Sequence, residues 1–138
     1  MAKQATYSEL SSSEREWLDA HIEAAREDGL DPQSQSAIGE FFDSSLDAVV
    51  RGEQPPETAN HVVNLVAVLL GEHLCSTTDL RWAIMTDEQG ADLCIHDRAT
   101  SWTLFPQSSV AKRWESGETG WVEPFCQWAL ENATAPPR

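Results

Sequence analysis

The spacing of apolar residues changes near Leu74, and this change limits the possible folds more than any other feature. Before Leu74, apolar side chains recur every three or four residues, as in amphipathic helices. After Leu80, short apolar runs alternate with polar residues and are separated by turn residues, as in strands. Helices followed by strands predict an α+β domain rather than an alternating α/β one.

Three helices are predicted before the change, over about residues 14–28, 32–51 and 56–74. Ser13 and Glu16 have the spacing of a capping box at the start of the first helix, and a glycine follows each of the first two helices. The third helix is apolar over a wide arc. We therefore expect it to be the most deeply buried element.

Three strands are predicted after Leu80, over residues 80–86, 91–96 and 101–105. Connections this short join antiparallel neighbours, so we expect a small three-stranded antiparallel sheet with the N-terminal helices packed on one face. Strand alternation selects the side chains that face these helices: Leu80, Trp82, Ile84, Leu93 and Ile95.

Two C-terminal helices are predicted after the sheet. Ser108 and Ser109 would cap the first, which ends near residue 115, and the second covers residues 121–132. The tail 133–138 is expected to fray. The 138 residues fit a single domain, with no linker in the sequence.

The second half of the chain resembles a small bacterial family, the domain of unknown function 3806, over about residues 70–128. The residues that carry the resemblance are Leu70-Gly71, Arg81-Trp82, the turn Asp87-Glu88-x-Gly90, and the run from Phe105 to Glu118. The resemblance implies an α+β domain. It implies no catalytic or binding residues, since the family has no assigned function.

The charge is strongly negative, −14 for the whole chain, and residues 1–79 carry 15 acidic and 4 basic side chains. Binding to nucleic acid or to an anionic membrane requires clustered Lys and Arg, so neither partner is expected. An acidic surface steers basic protein partners, but it also serves solubility or adaptation to high salt. Composition does not separate these three roles.

The protein is expected to be cytoplasmic. The longest apolar stretch, residues 62–70, is far shorter than the ~20 residues that span a bilayer, and the N-terminus lacks the pattern of a secretory signal. The three cysteines are accordingly expected to be reduced, and no cofactor is expected.

Two arrangements of histidine and cysteine are possible sites of chemistry, and both signals are weak. His73-x-Cys75 with Cys94-x-His96 would supply four zinc ligands, although structural zinc sites normally use wider spacing. Cys94, His96 and Asp97 would form a nucleophilic triad only if the strand bent. In the simpler interpretation, Cys75 fills space in the core and His96 lies on the surface.

Six tryptophans accompany a single tyrosine. Burial is the simpler role for Trp17, Trp82 and Trp128, while the other three fit either core or surface. Because arginine and tryptophan dominate interfaces, four residues would form a recognition patch if they met at the surface: Arg98, Trp102, Arg113 and Trp114.

Two hypotheses about function follow. In the first, the protein is a non-enzymatic binding module, comparable to a small immunity or inhibitor protein, whose acidic helical face binds a basic partner through Glu23, Glu27, Asp43 and Asp47. In the alternative, an enzyme or small-ligand binder uses a pocket between the sheet and the C-terminal helices. Its candidate ligand-binding residues are Arg81, His96, Arg98, Ser108, Ser109, Lys112 and Arg113.

Overall fold

The computed structural model describes residues 5–133, which contain five helices and four strands. In chain order they are β1 (Thr6–Ser8), α1 (Ser12–Glu27), α2 (Gln35–Val50), α3 (Thr58–Thr77), β2 (Arg81–Asp87), β3 (Gly90–His96), β4 (Thr103–Leu104), α4 (Pro106–Ser116) and α5 (Val122–Ala133). The predicted α+β class is confirmed. Ala133 belongs to α5, and the rest of the predicted frayed tail lies outside the described residues.

The sheet has four strands in the order β1-β2-β3-β4, all antiparallel, rather than the three that we predicted. Strand β1 pairs with β2 across the three intervening helices, with Tyr7 opposite Met85. Its three residues are exposed and too few to show a period. Nothing in the local sequence therefore distinguishes β1 from a loop.

Two predicted helix starts were wrong. The cap of α1 is Ser11, whose side chain accepts a hydrogen bond from the Glu14 backbone, while the Glu14 carboxylate accepts one from the Ser11 N–H. Helix α4 begins at Pro106 instead of being capped by Ser108 and Ser109, because proline is favoured in a first turn, where its missing N–H costs no hydrogen bond.

Helix α3 lies at the centre of the fold and packs against the other four helices and against β2. Every residue from Leu65 to Gly71 is buried, so this helix has no solvent-facing side along that stretch. The expectation that it would be the most buried element is confirmed. Within residues 5–133, no helix is both long and apolar enough to cross a membrane.

The two faces of the sheet are both partly covered, contrary to our prediction for β3. Trp82 and Ile95 are buried as expected, but Cys94 and His96, assigned to the opposite face, are buried too. The Tyr7 ring stacks on the His96 ring at 3.7 Å, and the Tyr7 hydroxyl bonds to Thr103 Oγ1 at 3.1 Å. The Tyr7 side chain thus extends from β1 over this second face and covers His96.

Candidate functional site

A surface groove of about 820 Å³ lies between α2 and α5. Each helix contributes polar side chains at helical spacing to this groove. On α2 the carboxylates are Glu40 and Asp43, three residues apart, and on α5 they are Glu123 and Glu131, eight residues apart. Residues at such spacings share one helix face. We call the groove lined by these four carboxylates the acidic groove.

The negative charge of the acidic groove is not neutralised from within. Among the described residues that line it, none is lysine, arginine or histidine. None of its four carboxylates has an ion-pair partner in the described part of the chain. Because the groove is concave, it concentrates this negative potential more than a convex surface would.

Asp43 has a second role at the floor of the acidic groove. Its two carboxylate oxygens accept hydrogen bonds from the Gly120 N–H at 3.1 and 3.3 Å. Gly120 has a positive φ of 68°, a conformation that favours glycine. Asp43 thereby attaches the segment before α5 to α2 and holds the two walls of the groove together.

Trp128 is the large exposed aromatic side chain of this surface, with 48% of its area accessible. Its ring lies 5.7 Å from the Phe125 ring and 5.9 Å from the Trp102 ring, at tilted angles. It lines the acidic groove on one side. An exposed indole next to carboxylates is a suitable surface for a cation, which is attracted by both.

A second depression of about 640 Å³ adjoins the first and lies between α4, α5 and β4. Its walls include Leu104, Trp121, Phe125 and Trp128, and we call it the aromatic pocket. Trp121 is 5% exposed, and its indole N–H has no hydrogen-bond partner among the described residues. The aromatic pocket therefore combines apolar side chains with the polar ones of Ser109, Arg113, Glu118 and Thr119, and within the described chain the Trp121 N–H in its wall is unsatisfied.

Arg113 lines the aromatic pocket, and its guanidinium already has partners there. Its central carbon lies 5.4 Å from the Trp121 ring centre and 5.0 Å from that of Phe125. The same group donates to the Ser109 carbonyl at 3.1 Å and lies 3.7 Å from a Glu118 carboxylate oxygen. These contacts fix Arg113 as part of the wall.

The four residues of the first hypothesis lie in different surroundings. Glu23 and Glu27 are exposed on α1, and neither has an ion-pair partner within the described chain. Asp43 lines the acidic groove. Asp47 pairs at 3.1 Å with Arg51, the residue that caps the C-terminal end of α2. Asp43 is thus the one member of the predicted set that meets other carboxylates in a concave surface.

The seven residues of the alternative hypothesis do not meet in one pocket. Ser109 and Arg113 line the aromatic pocket, and the other five do not. His96 is buried against Tyr7 and bonds to Thr103, so it is not the surface residue that we predicted. The remaining four are exposed: Ser108 and Lys112 lie one turn apart on α4, Arg81 lies on β2, and Arg98 follows β3.

The predicted recognition patch divides in the same way. Trp114 packs edge-on against Phe42, whereas Trp102 contacts Trp128. Of the tryptophans expected in the core, Trp82 is buried, Trp17 is half-buried, and the prediction for Trp128 was wrong. Trp128 lies at the edge of the buried stripe of α5, where its ring covers Phe125 and also reaches solvent.

The cysteines have the properties of core residues. Burial raises the pKa of Cys75 and Cys126 to about 12 and that of Cys94 to about 11. At neutral pH these groups are thiols, which are poor nucleophiles. The proposed triad is not assembled either, since His96 Nδ1 bonds to Thr103 and the Asp97 carboxylate bonds to the neighbouring loop.

The four residues considered as zinc ligands are likewise not assembled. In residues 5–133, no three His, Cys, Asp or Glu side chains are placed to share a metal ion. His73 instead lies between α3 and α2, where its Nε2 is 3.0 Å from Gln35 Nε2. Its Nδ1 is buried without a partner within the described chain.

The burial of His73 predicts a pH dependence of stability. Burial lowers the pKa of His73 below its usual value of 6.5, although the charge of Asp31 partly opposes this effect. The unfolded chain therefore binds a proton at a higher pH than the folded one, and stability falls as the pH drops below about 6.5. We expect wild type to lose up to about 1.4 kcal/mol per pH unit relative to His73→Gln in that range.

Urea denaturation of both proteins at pH 7.5, 6 and 5 measures this difference. Using the variant as the reference removes the contribution of the many carboxylates, which titrate in both proteins. Parallel stability curves would show that His73 is protonated equally well in the folded state.

The family model for a domain of unknown function (DUF3806) matches residues 44–125, more than half of the chain. The chain belongs to this family. The match begins within α2 and so extends further towards the N-terminus than the residues from which we inferred the resemblance. No curated protein and no solved structure matches the chain.

The residues that carry the resemblance to DUF3806 have structural roles here. A Cβ at Gly71 would overlap with the Trp82 ring, so these two residues form one close contact between α3 and β2. The Asp87 carboxylate accepts a hydrogen bond from the Gln89 N–H in the β2–β3 turn. Gln107, next to Pro106, donates to Asn64 of α3 at 2.9 Å. The matching motifs therefore describe the scaffold of DUF3806 in this chain.

Sequence reasoning missed Glu40, Glu123 and Glu131 and misplaced Trp128. One signal was available, because the α5 sequence carries polar side chains every fourth residue at Glu123, Gln127 and Glu131. That pattern predicts a polar stripe along one helix face. It does not reveal that the stripe faces Glu40 and Asp43.

Proposed function

We propose that this protein is a non-enzymatic binding module whose acidic groove binds a basic segment of a partner protein. The observation that carries the proposal is the convergence of four carboxylates from α2 and α5 on a concave surface where, among residues 5–133, they have no ion-pair partner and no basic side chain beside them. A guanidinium or ammonium group entering the groove would form charge-assisted hydrogen bonds with these carboxylates.

Trp128 strengthens the match to a basic side chain. A cation over an exposed indole gains about 0.5–1 kcal/mol, and more where water is excluded. Arginine suits this site best, because its planar group stacks on an aromatic ring while donating to carboxylates at its edge. The combination favours a partner segment that contains arginine.

The net charge of −14 supports the same proposal through the rate of association. A strongly negative protein attracts a basic partner from a distance, and such attraction speeds encounter more than it increases affinity. Small inhibitor and immunity proteins that neutralise basic enzymes use this principle. We place the present protein in that functional class.

The alternative of an enzyme or small-ligand site has weaker support. The aromatic pocket has the volume of a ligand site, but only Ser109 and Arg113 of the seven candidate residues line it. The Arg113 guanidinium lies against two rings and near Glu118, so it is not free to bind an anionic substrate.

Binding of a dye-labelled peptide, Gly-Arg-Arg-Gly-Ser-Gly, tests the proposed function. We expect Glu40→Gln with Glu123→Gln to weaken binding about 2- to 30-fold, the sum of two exposed ion pairs. Raising the salt from about 20 mM to about 200 mM should weaken wild-type binding more than binding by this variant, because added salt screens charge. Fluorescence anisotropy measures both effects.

The matched control is Glu23→Gln with Glu27→Gln on α1, which removes the same charge outside the groove. It lowers the long-range attraction equally and leaves the local contacts intact. We therefore expect it to retain nearly all of the wild-type affinity. Equal loss in the two double variants would mean that overall charge, rather than the acidic groove, binds the peptide.

A further inference from the structure

The acidic groove and the aromatic pocket form one continuous surface. Gly120, Pro124 and Trp128 line both depressions, so the two share one border. A ligand that fills one depression passes next to the other.

We propose that the two depressions bind a single extended peptide segment of the partner, in which arginine is followed closely by a large apolar side chain. The arginine lies in the acidic groove against Trp128, and the apolar side chain enters the aromatic pocket. This inference rests on the proposed function and specifies the chemistry of the partner segment.

The walls of the aromatic pocket select an apolar occupant. Leu104, Phe125 and Trp128 offer carbon surfaces, while the one basic group, Arg113, is held against the rings. A charged side chain would lose water against these rings, and Glu118, the carboxylate among the described lining residues, already lies 3.7 Å from Arg113. Leucine or an aromatic residue would instead exchange water for apolar contacts.

Trp121 supports a peptide rather than a hydrocarbon as the occupant. Its side chain forms part of the pocket wall, is 5% exposed, and leaves its indole N–H unpaired within the described chain. A buried donor without an acceptor is unfavourable. The backbone of an extended peptide carries a carbonyl at every residue, so a peptide along this wall brings acceptors close to the Trp121 side chain, which a hydrocarbon does not.

The experiment compares two labelled peptides, Gly-Arg-Arg-Gly-Ser-Gly and Gly-Arg-Arg-Gly-Leu-Gly, by fluorescence anisotropy. We expect the leucine peptide to bind wild type at least about fivefold more tightly, since burying part of a leucine side chain favours binding. Shorter and longer glycine spacers between Arg and Leu are included, and the ratio is taken at the best spacing.

Two variants of the protein test where the leucine and the arginines of the peptide bind. Thr119→Trp places a large ring in the aromatic pocket at an exposed position, so we expect the leucine advantage to disappear while binding of the serine peptide persists. Glu40→Gln with Glu123→Gln should weaken the binding of both peptides and leave the ratio of their affinities unchanged. Val50→Ser removes an exposed apolar side chain that lines neither depression, and it should change neither the affinities of the two peptides nor their ratio.

The outcomes separate the two proposals. The two-part site would be overturned if wild type bound the leucine and serine peptides with nearly equal affinity, or if the preference for leucine persisted in Thr119→Trp. Either result would leave salt-sensitive binding of arginine in place. Absence of binding by every peptide at low salt would overturn the proposed function and this inference with it. Circular dichroism and thermal melting confirm that each variant is folded before its affinity is interpreted.

Discussion

Gly71→Ala is expected to destabilise the protein by about 3 kcal/mol or more. The added methyl group would overlap with Cη2 and Cζ2 of the Trp82 ring, which is buried between α3 and β2. A tryptophan ring cannot bend away, and its position is also held by a 3.2 Å hydrogen bond from Nε1 to Glu72. Urea denaturation followed by circular dichroism gives the free energy of unfolding.

Two further variants make this prediction specific. Gly39→Ala, also within a helix, places its Cβ 3.4 Å from Val122 and should be neutral or stabilising by up to about 1 kcal/mol, because alanine favours helix. In the double variant Gly71→Ala with Trp82→Leu, the smaller side chain makes room for the methyl group. We expect the double variant to lose about 1–3 kcal/mol less than the sum of its single changes. If the losses in the free energy of unfolding were additive, the close contact between Gly71 and Trp82 would be refuted.

Phe42→Ala is expected to cost about 3–5 kcal/mol, the usual range for deleting a buried phenylalanine ring. Phe42 is fully buried on α2 and meets Trp114 at 5.5 Å and Trp121 at 5.2 Å, both edge-on. Edge-on ring pairs add about 0.5–1.5 kcal/mol each beyond the area that they bury. Chemical denaturation measures the loss.

The matched control for this change is Phe41→Ala, the neighbouring residue on the same helix. Phe41 is half-buried and packs against the margin of the core. Removing its ring leaves a surface depression that water fills instead of a closed cavity. We therefore expect Phe41→Ala to lower the free energy of unfolding by less than half as much as Phe42→Ala. Equal losses of stability at the two positions would contradict the placement of Phe42 inside the core and of Phe41 at its margin.

The helical half of the fold was predictable because each helix there repeats its pattern over many residues. The wide apolar arc of α3 correctly indicated its central position. Helix starts were less certain for a physical reason, since Ser11 with Glu14 and Ser13 with Glu16 have the same capping spacing. Only the direction in which the preceding chain enters the helix distinguishes them.

Strand β1 shows what local sequence could not provide. Its register with β2 depends on a partner 78 residues away, Tyr7 opposite Met85 being the middle pair. The burial of His96 depends on the same long-range pairing, because Tyr7 covers it. An edge strand of three exposed residues can be identified only from its pairing with a neighbouring strand, because its own composition does not distinguish it from a loop.

The candidate site was predictable in its charge but not in its location. Composition indicated an acidic surface, and Asp43 was among the residues chosen. Glu40 and Glu123 are brought together by the packing of α2 against α5, which no spacing within either helix specifies. The exposure of Trp128 has the same origin, because its position at the edge of the α5 stripe is compatible with either core or surface.

Nuclear magnetic resonance of the ¹⁵N-labelled protein, titrated with Gly-Arg-Arg-Gly-Leu-Gly at low salt, tests directly whether the acidic groove is the binding surface. We predict saturable shifts of the backbone amides from Gln35 to Asp43 and from Gly120 to Glu131, together with the indole N–H of Trp128, while Glu23 and Glu27 on α1 remain unchanged. Shifts of similar size on α1 and in the groove, increasing without saturation, would contradict the account.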